Sequence, residues 1–432
     1  MRAARQTDTL IIGAGQAGLS LSRHLARAGH RHAVLDRGRI GERWRSERWD
    51  SLNLLTPNWL NRLDGGAPHS DPSGYLGRAA FVDYLRRYAE VVGAPVHEHV
   101  TVRAVERSGT AFRIETDAGS WQARNIVVAT GDSADARIPP AAATAPGALL
   151  QIHAIGYRNP ASLPAGGILV VGAGPSGQQI AAELRRANRR VVLAVGRHAR
   201  MMRRYRGHDI WHWLRELGDL DRTIDEVPDL AASKRTPSLA LTGANGGEQL
   251  DLAVLHRVGV TIAGRLERFD GPRAVFSPDL QVTVGDAERR MHRVLDRIDD
   301  HIEQAYGGCW PHERDRVADV ALPPGPSALD LAATGISTVI WATGYRRAYP
   351  WLHVPVLDRD GEIAHRRGVT PVDGLYVLGL KFQHRRSSHF ISGVGADAAF
   401  VARNVLDAAS ATQLVPASRH ARCGRPLPAV AA

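Results

Sequence analysis

The chain has 432 residues, of which 44% are hydrophobic and 23% are charged, and it carries a formal net charge of +11. This length provides for two or three domains with buried cores, and the composition excludes a wholly disordered chain. The two cysteines, Cys309 and Cys423, exclude a disulfide framework, a cysteine zinc site and a CxxC redox dithiol.

The sequence gives no sign of a membrane or nucleic-acid partner. No apolar run reaches the roughly 18 residues of a membrane span, and the opening MRAARQTDT lacks the apolar stretch of a signal peptide. We therefore expect a cytoplasmic protein. The basic residues are scattered and almost all are arginine, with no helix-turn-helix, zinc-finger or aromatic-rich sheet motif beside them, so nucleic-acid binding is not expected.

The first predicted unit, at residues 8–36, has the order strand, glycine turn, helix, strand. DTLII is apolar and β-prone, GAGQAG forms the turn, LSLSRHLARAG has apolar residues at helical spacing, and HAVLD is a second strand. Gly13, Gly15 and Gly18 would let a pyrophosphate approach the turn and the helix N-terminus. Asp36, which closes the second strand, would bind ribose hydroxyls and repel a 2′-phosphate. This unit therefore predicts a binding site for FAD or NAD. The alternative is that the glycines form a tight turn that binds no ligand.

The segment between the two units combines one helix with several strands. FVDYLRRYAEVVG, at 81–93, predicts an amphipathic helix, and VHEHVTVRAVER, AFRIETDAG and SWQARNIVVAT predict strands. The last of these ends at Gly131, where a glycine permits close approach of the backbone to a cofactor. RIPPAAATAPGA, at 137–148, is rich in Pro and Ala and predicts a linker.

The second predicted unit, at residues 167–197, repeats the plan of the first with GILVV, GAGPSG, QQIAAELRRAN and VVLAV. Its glycines are Gly172, Gly174 and Gly177. Asp36 lies 23 residues after Gly13, and the same count from Gly172 reaches Val195, so the acidic residue is missing. Arg197 follows closely, which favours an adenosine 2′-phosphate and therefore NADPH, with NADH as the alternative if Arg197 is only a solvated side chain.

The rest of the chain predicts a mixed region followed by strands and a last helix. In 201–325, MHRVLDRIDDHIEQAYGG is the clearest helix, and Tyr205, Trp211 and Trp213 lie on another predicted helix, either as core residues or facing a substrate. TVIWATGY predicts a strand that ends at Thr343 and Gly344, GLYVLGL predicts a further strand, and DAAFVARNVLDAA predicts the last helix.

Two dinucleotide sites in one chain imply electron transfer between a bound flavin and an exchangeable nicotinamide. We predict an α/β protein with two Rossmann-like dinucleotide-binding domains, for FAD and NADPH, the second inserted into the first. The FAD-binding domain would comprise residues 1–150 and a return segment at 326–415. The NADPH-binding domain, with a helical substrate region, would comprise 151–325, and 416–432 would form a mobile tail.

The paired glycine motifs, the intervening ATG, the late WATGY and the segment GERWRSERWDSLNLLTP at 41–57 resemble the flavin-containing monooxygenases, especially their bacterial and YUCCA-like members. The resemblance implies that Gly13, Gly15, Gly18 and Asp36 hold FAD and that Trp44 and Arg45 lie along the flavin. It also implies that the backbone of Val102 meets the adenine, that Gly131, Thr343 and Gly344 lie near the cofactors, and that Gly395, in HFISGVG, approaches the flavin ring. Of the monooxygenase fingerprint before the second unit, His153 and Tyr157 are present, whereas Gly147 and Leu149 replace its Phe and Gly.

The implied reaction is an NADPH- and FAD-dependent monooxygenation. NADPH would reduce the flavin, O2 would form a flavin C(4a)-hydroperoxide, and one oxygen atom would pass to an amine, a sulfide or a carbonyl. The alternatives are an NAD(P)H-dependent flavoprotein reductase that passes electrons to a ferredoxin-like or other acceptor, and a dinucleotide sensor without catalysis. The expected partners are a small-molecule substrate and O2, with a homodimer left open; no catalytic side chain and no metal site is predicted.

Overall fold

The computed structural model describes residues 4–132, 135–307 and 309–413. The predicted mobile tail at 416–432 and Cys423 lie outside these residues. The strands are β1 (Arg5–Ile12), β2 (His32–Leu35), β3 (Val96–His97), β4 (Val102–Ser108), β5 (Ala111–Thr116), β6 (Gly119–Val128), β7 (Asp135–Ala136), β8 (Leu150–His153), β9 (Gly167–Val171), β10 (Val191–Ala194), β11 (Arg204–Tyr205), β12 (His208–Asp209), β13 (Thr261–Ala263), β14 (Leu266–Asp270), β15 (Arg273–Phe276), β16 (Ala328–Asp330), β17 (Ile336–Trp341), β18 (Tyr345–Arg346) and β19 (Leu375–Val377). The α-helices are α1 (Gln16–Arg27), α2 (Glu42–Ser46), α3 (Arg78–Val92), α4 (Pro175–Arg186), α5 (Ile210–Glu216), α6 (Leu230–Lys234), α7 (Leu252–Arg257), α8 (Leu280–Tyr306) and α9 (Val394–Gln413).

The first sheet has the strand order β3-β2-β1-β6-β5-β4. Strands β3, β2, β1 and β6 are parallel, whereas β5 and β4 continue the sheet in antiparallel orientation. Strand β19 pairs in parallel with residues 126–128 at the end of β6, beyond the part of β6 that pairs with β5. The first sheet is therefore completed by a strand from the last fifth of the chain.

The second sheet is parallel throughout, in the order β13-β10-β9-β17-β8. Strand β16 joins a small antiparallel sheet with β15 and β14 beside it. Residues 328–341 thus belong to the second unit, and the chain returns to the first sheet only after β17, later than the predicted boundary at 326. The parallel strands of both sheets confirm the predicted α/β class with two Rossmann-like units.

The two crossings between the units lie side by side. Strand β7, on the way out, pairs with β18, on the way back, in antiparallel orientation. The predicted linker at 137–148 follows β7, and it leads into β8 at the edge of the second sheet. The second unit is thus inserted into the first at a two-stranded connection.

Buried apolar residues form one continuous core between the units. It includes Leu21 of α1, Ile168 of β9, Ile180 of α4 and Val401 of α9, each fully buried. A separate core forms where α8 packs on α5. The buried residues of α8 follow helical spacing, at Leu280, Val284, Ala287, Met291, Leu295, Ile298 and Ile302.

The aromatic residues of the 201–325 region lie in this separate core. Trp211 and Trp213 are on α5, but Tyr205 is on β11, so the prediction that all three share a helix is wrong. Their relative exposures are 1% for Tyr205, 7% for Trp211 and 0% for Trp213, and they pack with α8 residues. These aromatic side chains therefore serve as core residues. Within the described part of the chain, no helix is both long enough and apolar enough to cross a bilayer.

Candidate functional site

The first glycine turn brings β1, α1 and the end of β6 into close contact. Gly13 has a φ of +112°, and a Cβ on it would lie 2.5 Å from the Ala129 carbonyl oxygen. A Cβ on Gly18 would lie 1.9 Å from the Gly13 carbonyl oxygen, so no side chain fits at either position. A Cβ on Gly15, by contrast, would meet no heavy atom within 4 Å. The backbone at Gly15 thus faces open space.

The N-terminus of α1 is free to bind an anion. Gly15 is its N-cap residue, no side chain caps it, and its first turn contains no acidic residue. The N–H groups of such a turn need partners and carry the positive end of the helix dipole. A pyrophosphate at Gly15 would satisfy them.

Asp36 lies directly beside this turn. Its Oδ2 accepts the Ala14 N–H at 2.7 Å, and its Oδ1 accepts the Gly38 N–H at 2.9 Å. The Asp36 carbonyl oxygen also accepts the Val100 N–H at 2.8 Å, which aligns the segment before β4 with the loop after β2. The structure therefore brings Asp36 and the start of β4, at Val102, to the same edge of the first sheet.

Trp44 and Arg45 lie on α2, the short helix after this loop. The Trp44 ring packs edge-on against Phe81 of α3, with the ring centroids 4.9 Å apart. Arg45 Nε donates to the Ile40 carbonyl oxygen at 3.4 Å. The guanidinium of Arg48 lies 5.5 Å from the Trp44 ring and 5.6 Å from the ring of Tyr345, so it links this segment to the second unit.

The second glycine turn has the same construction as the first. Gly172 has a φ of +111°, and a Cβ on it would lie 2.5 Å from the Ala342 carbonyl oxygen. A Cβ on Gly177 would lie 1.8 Å from the Gly172 carbonyl oxygen, whereas one on Gly174 would meet nothing within 4 Å. Helix α4 also lacks a side-chain cap and a first-turn acid. Each ATG segment, 129–131 and 342–344, thus packs on the glycine turn of its own unit.

Gly131 and Gly344 end these segments with φ values of +76° and +86°. Thr343 and Gly344 also form hydrogen bonds with the segment that leads from the first unit into the second. The Thr343 hydroxyl donates to the Arg137 carbonyl oxygen, and the Gly344 carbonyl oxygen accepts from His153 Nε2 at 3.0 Å. The predicted residues Thr343 and Gly344 therefore lie beside the second turn and fix the linker.

The position in the second unit that corresponds to Asp36 has a different chemistry. The Gly13 N–H donates to the Leu35 carbonyl oxygen at 2.7 Å, and the Gly172 N–H donates to the Ala194 carbonyl oxygen at 2.9 Å. The residues that follow these carbonyls are Asp36 and Val195, so the two positions correspond in space. Val195 is fully buried and offers no side-chain hydrogen bond.

Arg197 is exposed next to this position, and its side chain has no hydrogen-bond or ion-pair partner among the described residues. Arg290 of α8 is near it; its Nη2 donates to the His198 carbonyl oxygen at 2.8 Å, and its buried Nε has no partner in the described chain. Burial lowers the pKa of Arg290, and nearby Arg197 lowers it further. Arg265 carbons lie 3.7 Å from where a Gly196 Cβ would be.

Arg197, Arg265 and Arg290 thus lie near the position that corresponds to Asp36; Arg265, an exposed side chain, also lies 3.7 Å from Glu267 and 3.9 Å from Asp279. No motif marks Arg265 or Arg290 in the sequence, because they lie in segments far along the chain from Arg197. Arg200, which is close to Arg197 in sequence, is not available, since it is buried and forms ion pairs with Asp251 and Glu288 at 3.3 Å and 3.0 Å.

Gly395 lies in the first turn of α9, where a Cβ would be 2.6 Å from Asp64 Cβ. A cavity of about 550 Å³ opens here, lined in part by Trp59, Arg62, Ser392 and Gly395. Gln16 at the start of α1 donates from Nε2 to the His389 carbonyl oxygen at 2.9 Å. The segment before α9 is therefore tied to the first glycine turn.

Comparison with known proteins agrees with this geometry. Residues 10–215 match the pyridine nucleotide-disulphide oxidoreductase family. The chain is 33% identical over 403 residues to a CzcO-like oxidoreductase of Geobacillus kaustophilus (strain HTA426), covering 93% of this chain and 98% of that protein. It is 30% identical over 190 residues to the indole-3-pyruvate monooxygenase YUCCA1 of Oryza sativa subsp. japonica, covering 43% of this chain and 47% of that protein.

A flavin-containing monooxygenase from Stenotrophomonas maltophilia has the same fold. The TM-score is 0.61 at 20% sequence identity, over 93% of this chain and 99% of that chain. The fold and the partial match to YUCCA1 agree with the resemblance predicted from the paired glycine motifs. This chain belongs to the CzcO-like oxidoreductases.

Proposed function

We propose that the protein is an NADPH- and FAD-dependent monooxygenase that transfers one oxygen atom of O2 to a small organic substrate, namely an amine, a sulfide or a carbonyl. The observation that carries the proposal is the pair of matching glycine turns with opposite ribose ends. One end has the Asp36 carboxylate, and the other has Val195 with Arg197 beside it. One turn suits a flavin dinucleotide and the other suits a 2′-phosphorylated nicotinamide.

FAD fits the first unit on three features of the chain. The open space at Gly15 admits the pyrophosphate, the uncapped N-terminus of α1 supplies N–H donors, and Asp36 accepts from the ribose. Bound there, FAD would supply electron transfer and the activation of O2. The protein would contribute position and the exclusion of water.

NADPH fits the second unit in the same way. Gly174 and the N-terminus of α4 would hold its pyrophosphate, and Arg197, Arg265 and Arg290 would bind the 2′-phosphate. The contact of Arg48 with both Trp44 and Tyr345 supports a placement of the two cofactors toward each other. The cavity beside Gly395 would admit the substrate to the flavin edge.

The test is to purify the protein, quantify bound flavin, and follow NADPH oxidation with isotopically labelled O2. A monooxygenase gives slow NADPH oxidation that accelerates with an amine, sulfide or ketone and places one labelled oxygen atom in the product. Rapid turnover only with ferredoxin or dye acceptors would identify a reductase instead. A protein that cannot be loaded with FAD would refute both enzymatic functions.

A further inference from the structure

One buried carboxylate, that of Asp219, is contacted by three guanidinium groups. Asp219 follows α5, and its side chain is 1% exposed. Arg297 of α8 donates to both of its oxygens, from Nη2 to Oδ1 at 2.8 Å and from Nη1 to Oδ2 at 3.1 Å. Arg222 Nη2 lies 3.3 Å from Oδ1, and Arg386 Nη1 lies 3.7 Å from Oδ2. The loop after α5, helix α8 and the segment before α9 thus bring three positive charges to one point.

The backbone holds two of these arginines side by side. Thr223 and Arg385 form an antiparallel bridge, and the Arg386 N–H donates to the Arg222 carbonyl oxygen at 2.9 Å. This pairing sets Arg222 opposite Arg386. Like charges opposite each other on paired backbone segments repel. The fold therefore keeps two guanidinium groups close together against their mutual repulsion.

Neither Arg222 nor Arg386 has an acceptor for its guanidinium N–H groups. Among the described residues, these two side chains form no hydrogen bond, and their one ion-pair partner is Asp219. Both oxygens of Asp219 are already bonded to Arg297. The Arg222 side chain is 46% exposed and that of Arg386 is 35% exposed, so a ligand can reach both from solvent. Guanidinium groups that are held in place without acceptors suit an oxyanion.

The positive charges of this cluster exceed its negative charge by two, because three guanidinium groups face the single carboxylate of Asp219. Burial lowers the pKa of Arg386, and Arg222 and Arg297 lower it further. Asp219 is the one acidic residue of the described chain that raises it. The hydrogen bonds to Asp219 raise the pKa of Arg297, and Asp219 is again the only acid that does so among the described residues.

The acidic residues next to the cluster do not balance this charge. Those between 219 and 226 have partners of their own, namely Asp221 with Arg385 at 3.5 Å, Asp225 with Arg366 at 3.3 Å, and Glu226 with the N–H and hydroxyl of Thr223. On α8, Asp296 pairs with Arg314 at 2.8 Å, and the exposed Asp300 forms no ion pair with any residue that the structure describes. The surplus of positive charge therefore stays at Arg222 and Arg386.

We infer that Arg222, Arg297 and Arg386 form a binding site for a phosphate group, supplied either as inorganic phosphate or by a phosphate monoester. A monoester carries about −1.5 to −2 charges at pH 7, which matches the surplus of two, whereas a carboxylate would leave one charge unbalanced. The oxygens of a phosphate also accept hydrogen bonds from two guanidinium groups at once. None of the three arginines lines the cavity beside Gly395 or belongs to a glycine turn, so the inference does not depend on the proposed monooxygenase function.

The test is isothermal calorimetry of the purified protein with inorganic phosphate and, separately, with phenyl phosphate, at pH 7.5 and constant ionic strength. We expect one saturable phosphate site per chain that depends on Arg222 and Arg386. Arg222→Gln and Arg386→Gln should each weaken binding at this site at least about 10-fold, as the loss of a charged hydrogen bond requires. Acetate, with a single charge, should bind at least about 10-fold more weakly than phosphate. Binding of phenyl phosphate would identify a monoester as the ligand, and binding of inorganic phosphate alone would identify the free ion.

The matched control is Arg385→Gln, which removes the neighbouring guanidinium, whose own partner is Asp221. It should leave phosphate binding intact. Arg197→Ala should also leave this site intact, which separates it from the proposed site for the NADPH 2′-phosphate. Arg222→Gln keeps the test independent of folding, because the exposed Arg222 side chain has no hydrogen bond to lose. The inference is overturned if neither probe binds saturably, or if Arg222→Gln and Arg386→Gln bind both probes as tightly as the wild type.

Discussion

At the scale of single residues, positions 36 and 195 hold the same place in two similar units and have opposite chemistry. Asp36 offers a carboxylate that already accepts two backbone N–H groups, so its orientation is fixed before any ligand binds. Val195 offers no polar group, and the nearest cations are arginines. We expect this single difference to decide which dinucleotide each unit binds.

Replacing Arg197 with Ala should weaken the binding of NADPH and spare that of NADH. A charge-assisted hydrogen bond to phosphate is worth about 1.5–3 kcal/mol, so KM for NADPH should rise about 10- to 100-fold. Steady-state kinetics with both nucleotides measure this. Arg257→Ala, which removes an exposed arginine at the end of α7, serves as the control and should change neither constant. Equal losses for NADPH and NADH would exclude a phosphate-binding role for Arg197.

Replacing Asp36 with Ala should weaken FAD binding by about 1–3 kcal/mol, because the ribose would lose its acceptor and two backbone N–H groups would lose theirs. Equilibrium dialysis of FAD against the apoprotein measures the effect. Asp36→Asn keeps one acceptor oxygen and should give an intermediate loss. Native FAD affinity in Asp36→Ala would contradict the placement of the ribose at this residue.

At the scale of elements, two of the three glycines in each turn leave no room for a side chain, whereas the middle glycine faces open space, where we expect the ligand. Gly18 allows α1 to touch the turn, whereas Gly15 faces open space. The same division applies to Gly177 and Gly174 in the second unit. The spacing of the glycines in the sequence does not distinguish these two roles. The space around each glycine in the fold distinguishes them, because a side chain fits at one and not at the other.

Gly18→Ala should both destabilise the apoprotein and abolish flavin retention, because the added methyl group meets a carbonyl oxygen 1.9 Å away. We expect a loss of about 1–3 kcal/mol in the free energy of unfolding, the range for overpacking. Gly15→Ala is the matched variant. It should leave apoprotein stability unchanged and still weaken FAD, since its methyl group would occupy the space of the pyrophosphate. Urea denaturation measures the stability of the apoprotein, and flavin spectra measure the bound FAD. A Gly18→Ala protein that is as stable as the wild type and retains flavin would refute the packing argument.

The elements nearest the glycine motifs were predictable from sequence, and others were not. Apolar runs and glycine turns fix β1, α1, β9 and α4 locally, so both units follow from the pattern. Helix α8 begins at Leu280, well before the predicted start at Met291. Val282, Thr283 and Val284 favour strands by propensity, but Leu280 and Val284 are buried and hold this first part of the helix by packing. The position of β17 in the second sheet depends on pairing partners, which periodicity does not reveal.

The residues of the candidate site also fall into two groups, those that a local sequence motif marks and those that only the fold brings near. Residues within the motifs, such as Asp36 and Gly172, are identified by their spacing from a glycine turn. Arg265 and Arg290 come near Arg197 only because the fold brings distant segments together, so no local pattern marks them. The cofactor-binding roles of the motif residues, and those given to Trp44, Arg45, Val102 and Gly395, stay predictions.

At the scale of the whole molecule, buried histidines make stability depend on pH. Burial lowers the pKa of many rings in the described chain, namely those of His24, His30, His32, His97, His153, His198, His212, His365, His384 and His389. For His365 and His389 the pKa falls to about 4, from an ordinary value of 6.5. These rings are neutral in the folded protein at pH 7, and the unfolded chain binds their protons first as the pH falls.

We therefore expect the free energy of unfolding to decrease as the pH falls from about 6.5 to about 4, by up to about 1.4 kcal/mol per pH unit for each such ring. His365→Gln should make this decrease less steep. Urea denaturation at several pH values measures the slope. His99→Asn, which removes an exposed ring in a left-handed backbone conformation that Asn also adopts, should leave the slope unchanged. An unchanged slope in His365→Gln would show that this ring does not titrate as described.

The late position of β19 and α9 has a consequence for synthesis on the ribosome. The second sheet uses strands within residues 150–341 and is able to close as soon as they emerge, whereas the end of β6 waits for β19 and the apolar face of α1 waits for α9. At a translation rate of ~5–20 residues per second, the 249 residues from 129 to 377, the end of β19, take about 12–50 s. During that interval a nascent chain exposes an unpaired strand edge, so we expect slow synthesis to favour aggregation through the end of β6.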